Sequence, residues 1–177
     1  MRAVLLIIVL AFIAVPAMAM EQLTVGDSIP HTLELSDQNG AKQSFESVVG
    51  DNGAVLVFYR SADWCPYCQI QLIKLNKQAQ KFTDAGYPLV GISYDPVDDL
   101  ARFEKKLKKM IKAEKSGLVL LSDTNSEVIK SFGIFNTDNK EGSFGYGVPY
   151  PTIYVVNKDK TIKAILTEEG YKDRPEA

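Results

Sequence analysis

The sequence is poor in the residues that build metal and nucleic-acid sites. It contains one histidine and two cysteines among 177 residues, so a four-ligand zinc site would need carboxylates to complete it. Lys and Arg number 20 against 22 Asp and Glu, and the absence of a basic excess argues against nucleic-acid binding. The 12 glycines and 8 prolines are ordinary for a globular chain and exclude a collagen-like repeat. The composition therefore predicts a globular domain with neither a metal nor a nucleic acid as partner.

The first 19 residues have the pattern of a secretory signal peptide. A charged start is followed by an unbroken apolar run over residues 3–15 and by an A-x-A end at Ala19. The run is shorter than the roughly 20 residues of a spanning helix, and an uncleaved membrane anchor is the alternative. Cleavage after Ala19 leaves residues 20–177 as a single domain. We expect export to a bacterial periplasm, where disulfides are permitted.

The rest of the chain alternates between β-prone and helical segments. Continuous apolar runs at residues 54–59 and 88–94 predict buried strands. Apolar residues spaced by three and four predict helices over residues 66–82 and 97–110. The remaining predicted elements are an N-terminal hairpin, a short strand, a short helix and a C-terminal hairpin, over residues 31–45, 118–121, 126–132 and 152–166. Helices between buried strands predict a largely parallel central sheet that is covered on both faces.

The candidate chemistry lies in a C-x-x-C motif, formed by Cys65 and Cys68, between the first buried strand and the first helix. Backbone N–H groups and the positive end of the helix dipole favour a thiolate at this place and can lower the pKa of a cysteine. Pro66 suits the first helical position, where its missing N–H costs nothing. We expect an exposed Cys65 to attack a disulfide and a less exposed Cys68 to resolve the mixed disulfide.

Two other interpretations of the pair remain open. An exported protein with two cysteines can hold a static disulfide, although so short a loop removes little entropy from the unfolded chain. Alternatively, the pair could be half of a metal site, for which the chain has few further ligands of the right kind.

Several segments together resemble the thioredoxin superfamily, and its alkyl hydroperoxide reductase and thiol-specific antioxidant branch in particular. They are FYRSADWCPYC, SYDP, LLSDTNSEVIKSFGI and VPYPTIYVVNKDK, and the resemblance covers residues 23–166. It implies an α/β thioredoxin fold with a mixed central sheet, helices on both faces and an N-terminal β-hairpin extension. It implies no cofactor beyond a redox-active disulfide between Cys65 and Cys68.

The resemblance also implies a rim around the cysteines. Pro151 matches a cis-proline that faces the active site in the superfamily. This geometry would expose the backbone of Tyr150 to an extended substrate peptide. The predicted rim residues are Trp64, Pro66, Tyr67, Tyr150, Pro151 and Arg60.

The family's two chemistries place different demands on these positions. The peroxiredoxin pattern P-x-x-x-T-x-x-C puts its peroxide-reactive cysteine at Cys68, its threonine at Cys65 and its proline at Ser61. The family's arginine falls at Pro151, which leaves Arg60 as the cation nearest in sequence. These departures, together with the C-x-x-C motif, favour disulfide exchange over peroxide reduction. Tyr59 stands where thioredoxins carry a buried aspartate.

The sequence thus supports three hypotheses. The leading one is an exported thiol–disulfide oxidoreductase that cycles Cys65 and Cys68. The alternative is a thiol-dependent peroxidase, and the third is a non-catalytic binding module with a structural disulfide. The expected partners are protein thiols or disulfides or a peroxide as substrate, with a thiol reductant or a membrane electron donor.

Overall fold

The structure is a computed structural model that describes residues 22–168 and Arg174. The predicted signal peptide and its cleavage site lie outside these residues. Among the described residues, no helix is both long enough and apolar enough to cross a bilayer.

A seven-stranded mixed sheet forms the centre of the described part of the chain. Its strands are β1 (Leu35–Asp37), β2 (Lys42–Gln43), β3 (Gly53–Phe58), β4 (Leu89–Ser93), β5 (Leu118–Ser122), β6 (Thr152–Asn157) and β7 (Ile162–Thr167). They lie in the order β2-β1-β5-β4-β3-β6-β7. Strands β3, β4 and β5 are parallel, whereas β1, β6 and β7 run antiparallel to their neighbours.

Helices cover both faces of the sheet. They are α1 (Phe45–Val48), α2 (Pro66–Asp84), α3 (Val97–Ile111) and α4 (Glu127–Ser131). Because side chains alternate along a strand, β3 divides its apolar residues between two cores. Val55 and Val57 belong to the core that contains α2 and α3, and Leu56 and Phe58 to the core that contains α1 and α4. The predicted fold class, a mixed sheet with helices on both faces, is confirmed.

The N-terminal hairpin is present but shorter than predicted. β1 and β2 pair antiparallel, and β1 also joins the sheet beside β5. The chain leaves the hairpin at Ser44, because Phe45 and Val48 turn into α1 and are buried under the sheet. The burial of these two side chains outweighs the weak alternation of apolar and polar residues that predicted a strand up to residue 45.

The sheet topology places the C-x-x-C motif beside the start of β6. Phe58 at the end of β3 pairs with Thr152 at the start of β6. Residues 59–65, which lead into α2, therefore leave the sheet at the same edge at which Pro151 enters it. The end of the neighbouring parallel strand β4 lies at this edge as well.

Candidate redox site

Cys65 and Cys68 form a disulfide at the N-terminus of α2, with their Cα atoms 5.3 Å apart. Cys65 is the N-cap residue, in an extended conformation, and Pro66 occupies the first turn, as predicted. Sγ of Cys65 accepts a hydrogen bond from the backbone N–H of Cys68 at 3.3 Å. The first turn of α2 thus directs toward a sulfur an N–H group that has no acceptor within the helix. This arrangement favours a thiolate once the disulfide is reduced.

Both cysteines are buried, which corrects the expectation of an exposed Cys65. Cys65 is 1% exposed and Cys68 is 0% exposed. They belong to the core formed by α2, α3 and one face of the sheet, together with Tyr59 and Leu72. Because α2 turns the side of its first turn that carries Cys65 and Cys68 toward this core, its N-cap sulfur does not protrude into solvent.

A buried carboxylate, Asp95, holds the loop that carries the cysteines. One oxygen of Asp95 accepts a hydrogen bond from Oγ of Ser61 at 2.7 Å, and the other accepts from the backbone N–H of Ala62 at 2.6 Å. Oγ of Ser61 in turn accepts from the N–H groups of Asp63 and Trp64, at 3.0 and 3.2 Å. The backbone immediately before Cys65 is therefore fixed from inside the protein.

Burial raises the pKa of Asp95, while its hydrogen bonds from Ala62, Ser61 and Ser93 act in the opposite direction. Burial also raises the pKa of Tyr59, and the nearby charge of Asp95 raises it further. The neutral phenol of Tyr59 thus occupies the position at which thioredoxins carry a buried aspartate. The buried carboxyl group of this region lies on the adjacent strand end instead.

The cation that contacts the sulfurs is Arg174. Its Nη2 lies 3.6 Å from Sγ of Cys65 and 3.7 Å from Sγ of Cys68. Its guanidinium carbon lies 5.9 Å from the centre of the Tyr67 ring. Arg60, which the sequence suggested for this role, stacks its guanidinium on Trp64, 4.9 Å from the ring centre.

Aromatic side chains line one side of the site, and Trp64 of the predicted rim is among them. Trp64 is half-buried, donates its indole N–H to the hydroxyl of Tyr94 at 2.8 Å, and packs on Phe144 at 4.8 Å between ring centres. Phe144 is 77% exposed, so most of its ring faces solvent. Pro66 is exposed and Tyr67 is half-buried.

The expectation for Tyr150 and Pro151 is wrong in two respects. The bond between them is trans, since none of the peptide bonds in the described residues is cis. The backbone of Tyr150 is also already engaged, because its N–H donates to the carbonyl of Ile134 at 2.7 Å and its carbonyl accepts from Oγ1 of Thr152 at 3.1 Å. The N–H of Tyr150 is therefore not available to pair with a substrate peptide as was expected.

Sequence reasoning missed the roles of Asp95 and Arg174. Asp95 closely follows β4, which is parallel to β3, the strand before Ser61. The carboxyl ends of parallel strands meet at one edge of a sheet, and this relation could have pointed to their contact. Nothing in the sequence indicates that Arg174 contacts a sulfur 109 residues away. Within residues 22–168 and at Arg174, no cluster of His, Cys, Asp and Glu has the form of a metal site.

Comparison with known proteins assigns the chain to a family. The sequence model of the AhpC/TSA family matches residues 25–165. The chain is 30% identical to 1-Cys peroxiredoxin PER1 of Hordeum vulgare over 144 residues, which is 81% of this chain and 64% of that protein. The chain thus spans less than two thirds of the length of this relative.

Solved structures agree with the sequence match. Peroxidoxin BcpB from Mycobacterium tuberculosis is 27% identical, with a TM-score of 0.66 over 82% of this chain and 86% of that one. Peroxiredoxin 6 of Arenicola marina, 20% identical, has the same fold, with a TM-score of 0.71 over 82% of this chain and 65% of that one. The family model covers most of the domain, including both cysteines, and the chain belongs to the AhpC/TSA family.

Proposed function

We propose that the protein is a thiol-dependent peroxidase that reduces a small peroxide with the Cys65–Cys68 pair. The observation that carries the proposal is a buried pair of cysteines at the N-terminus of α2, within a domain of the AhpC/TSA family. The relatives named above are peroxiredoxins, which supports this function over the disulfide exchange that the sequence favoured.

Burial of the sulfurs also supports a small substrate. Thiol–disulfide exchange requires an attacking thiolate to reach a sulfur in line with the disulfide that it cleaves, so access limits its rate. Cys65 and Cys68 expose almost no surface, and the backbone of Tyr150 is paired within the protein. A peroxide needs far less room than a folded protein substrate.

The first step forms a sulfenic acid. The Cys65 thiolate attacks one oxygen of a hydroperoxide, the O–O bond breaks, and the departing alkoxide or hydroxide takes up a proton to leave as an alcohol or water. The electron pair of the sulfur is thereby donated to the peroxide, which is reduced. We assign this step to Cys65 because its Sγ already accepts the N–H of Cys68.

The second step closes the disulfide. The Cys68 thiol attacks the Cys65 sulfenic acid, the new S–S bond forms, and water leaves. Two electrons from a dithiol reductant then regenerate both thiols. We propose a thiol reductant for this step, or a membrane electron donor if residues 1–19 direct export to a periplasm, where reducing equivalents are scarce. The chain needs no prosthetic group for these steps, because the two sulfurs carry the electrons.

Disulfide exchange is the second candidate, and the C-x-x-C spacing favours it. A C-x-x-C pair that cycles between the disulfide and the dithiol can also pass its disulfide to another dithiol. Exchange would involve no sulfenic acid, and this difference separates the two functions.

The test is a single-turnover reaction of the reduced protein, followed through Trp64 fluorescence, with either hydrogen peroxide or a small disulfide. We expect the faster reaction with peroxide. In the Cys68→Ser variant a sulfenic acid should accumulate and be trapped by dimedone, whereas Cys65→Ser should trap little.

Each remaining outcome has a distinct meaning. A fast reaction with the disulfide and a slow one with peroxide would refute the peroxidase. Trapping in Cys65→Ser alone would move the peroxide-reactive sulfur to Cys68, where the family pattern places it. Turnover that survives both substitutions would leave the pair with a structural role only.

A further inference from the structure

Arg174 contacts both sulfurs of the pair almost equally. The distances from Nη2 are 3.6 Å to Sγ of Cys65 and 3.7 Å to Sγ of Cys68. Because the two sulfurs are bonded to each other in the disulfide, a guanidinium that contacts one of them lies within reach of the other as well. The geometry serves either sulfur in turn.

The surroundings of the sulfurs make this charge effective. Both cysteines are buried, so water screens a neighbouring charge less than it would at an exposed thiol. Arg174 itself is half-buried and lies near the ring of Tyr67. Because a guanidinium stays protonated at every relevant pH, it presents a permanent positive charge.

We propose that Arg174 stabilises the negative charge on whichever of the two sulfurs is the thiolate and thereby favours the reduced form of the pair. The quantity that changes is the equilibrium between the disulfide form and the dithiol form of the pair. In that exchange, two molecules of glutathione reduce the protein disulfide and leave as glutathione disulfide, while the protein gains two thiols. A cation that lowers the free energy of the thiolate shifts this equilibrium toward the thiols.

This role of Arg174 is the same whatever oxidises the protein, and it goes beyond the proposed peroxidase function. A thiolate stabilised by Arg174 also leaves more easily when a reductant attacks the disulfide, because a leaving thiol of lower pKa departs faster. Arg174 therefore assists the reduction of the disulfide kinetically as well as at equilibrium. The residue supplies from a distant part of the sequence a charge that Arg60 was expected to supply locally.

The test compares Arg174→Gln with Arg174→Lys and with the wild type in two measurements that involve no peroxide. The first is the pH titration of the thiolate absorbance in the ultraviolet. We expect Arg174→Gln to raise the apparent pKa of the more acidic thiol by about one to two units, the usual effect of removing a close opposite charge. The second is the equilibrium with glutathione at fixed pH, in which the reduced fraction of Arg174→Gln should fall.

The two shifts are linked in size. Each unit by which the thiol pKa rises can change the equilibrium constant for reduction of the disulfide by up to about tenfold. For this two-electron couple, a tenfold change corresponds to about 30 mV in reduction potential. Arg174→Lys should keep a large part of both effects, since it retains the charge without the planar geometry. The matched control is Arg102→Gln, which removes the same charge from an exposed position on α3, where Arg102 pairs with Asp63 and Asp99.

Unchanged titration and unchanged equilibrium in Arg174→Gln would overturn the proposal, as would a Lys variant that behaves like the Gln variant. Urea unfolding of the oxidised variants shows whether each is folded. A wild-type protein that fails to reduce peroxide would refute the proposed function but leave these two readouts, and the inference about Arg174, intact.

Discussion

Gly117 lies against α2 at a point where the structure leaves no room for a side chain. A Cβ atom at this position would lie 2.3 Å from Cβ of Ala79. Carbon atoms that are not bonded pack at roughly 3.5–4.0 Å, so the overlap exceeds 1 Å by that measure. The N–H of Gly117 also donates to Oδ1 of Asn76 at 2.8 Å, which holds the segment against the helix. We expect Gly117→Ala to lower the free energy of unfolding by about 3 kcal/mol, near the upper end for overpacking.

The Ala79→Gly substitution should relieve this clash, because Cβ of Ala79 is the one atom that a Cβ at position 117 would approach closely. Alone, Ala79→Gly places a glycine inside α2, which costs about 1 kcal/mol of helix propensity. It also removes a buried methyl group, which is worth about 0.8 kcal/mol. If the clash is the cause, the double variant should lose about 2 kcal/mol instead of the roughly 5 kcal/mol expected for independent sites.

The assay is equilibrium urea unfolding of the oxidised proteins, followed by Trp64 fluorescence and by circular dichroism. The two single variants, the double variant and the wild type form a complete cycle, so each serves as a control for the others. A double variant whose loss equals the sum of the single losses to within about 0.5 kcal/mol would refute the reasoning. A neutral Gly117→Ala would refute it as well.

Three further predictions concern the loop around the cysteines. Burial raises the pKa of Asp95, so the protonated carboxyl group stabilises the folded state. This contribution is complete at a pH below the pKa of the unfolded chain, about 3.9, and is lost as the pH rises through the pKa of the folded protein. The free energy of unfolding of the wild type should therefore fall relative to that of Asp95→Asn over this interval, and a relative rise in urea titrations would contradict the assignment. Ser61→Ala should lower the free energy of unfolding by about 1–3 kcal/mol, because it removes a hydrogen-bond donor from the buried carboxyl group of Asp95 and the acceptor of the Asp63 and Trp64 N–H groups. The control is Ser143→Ala at an exposed position, which is expected to lie within about 0.5 kcal/mol of the wild type. Tyr94→Phe removes the hydrogen-bond acceptor of the Trp64 indole, so it should shift the Trp64 emission and lower the free energy of unfolding by about 1 kcal/mol, and an unchanged emission spectrum would count against that contact.

The helix and the strands around the site follow directly from the sequence. The prediction of a helix from Pro66 matches α2, because the spacing of its apolar residues and the proline at its start are local signals. The continuous apolar runs correspond to β3 and β4, since strands buried on both faces need apolar residues at every position. The short helix predicted over residues 126–132 corresponds to α4, whose first N–H groups, those of Glu127 and Ile129, donate to Asp123.

Other properties depend on distances that no local pattern encodes. Whether Cys65 is exposed depends on how α2 packs against the sheet, and the packing buries it. Whether the backbone of Tyr150 is available depends on the pairing of residues 134–136 with residues 148–150, which forms across the loop of residues 137–147.

The sequence by itself located the candidate reactive atoms, because two cysteines at C-x-x-C spacing before a helix place two sulfurs beside the N–H groups of a helix N-terminus. Only the tertiary structure decided which charged groups surround those atoms. Asp95 reaches the loop through the ends of two parallel strands, and Arg174 reaches both sulfurs across more than a hundred residues. Electrostatic influence follows distance in space, and the folded chain alone sets that distance.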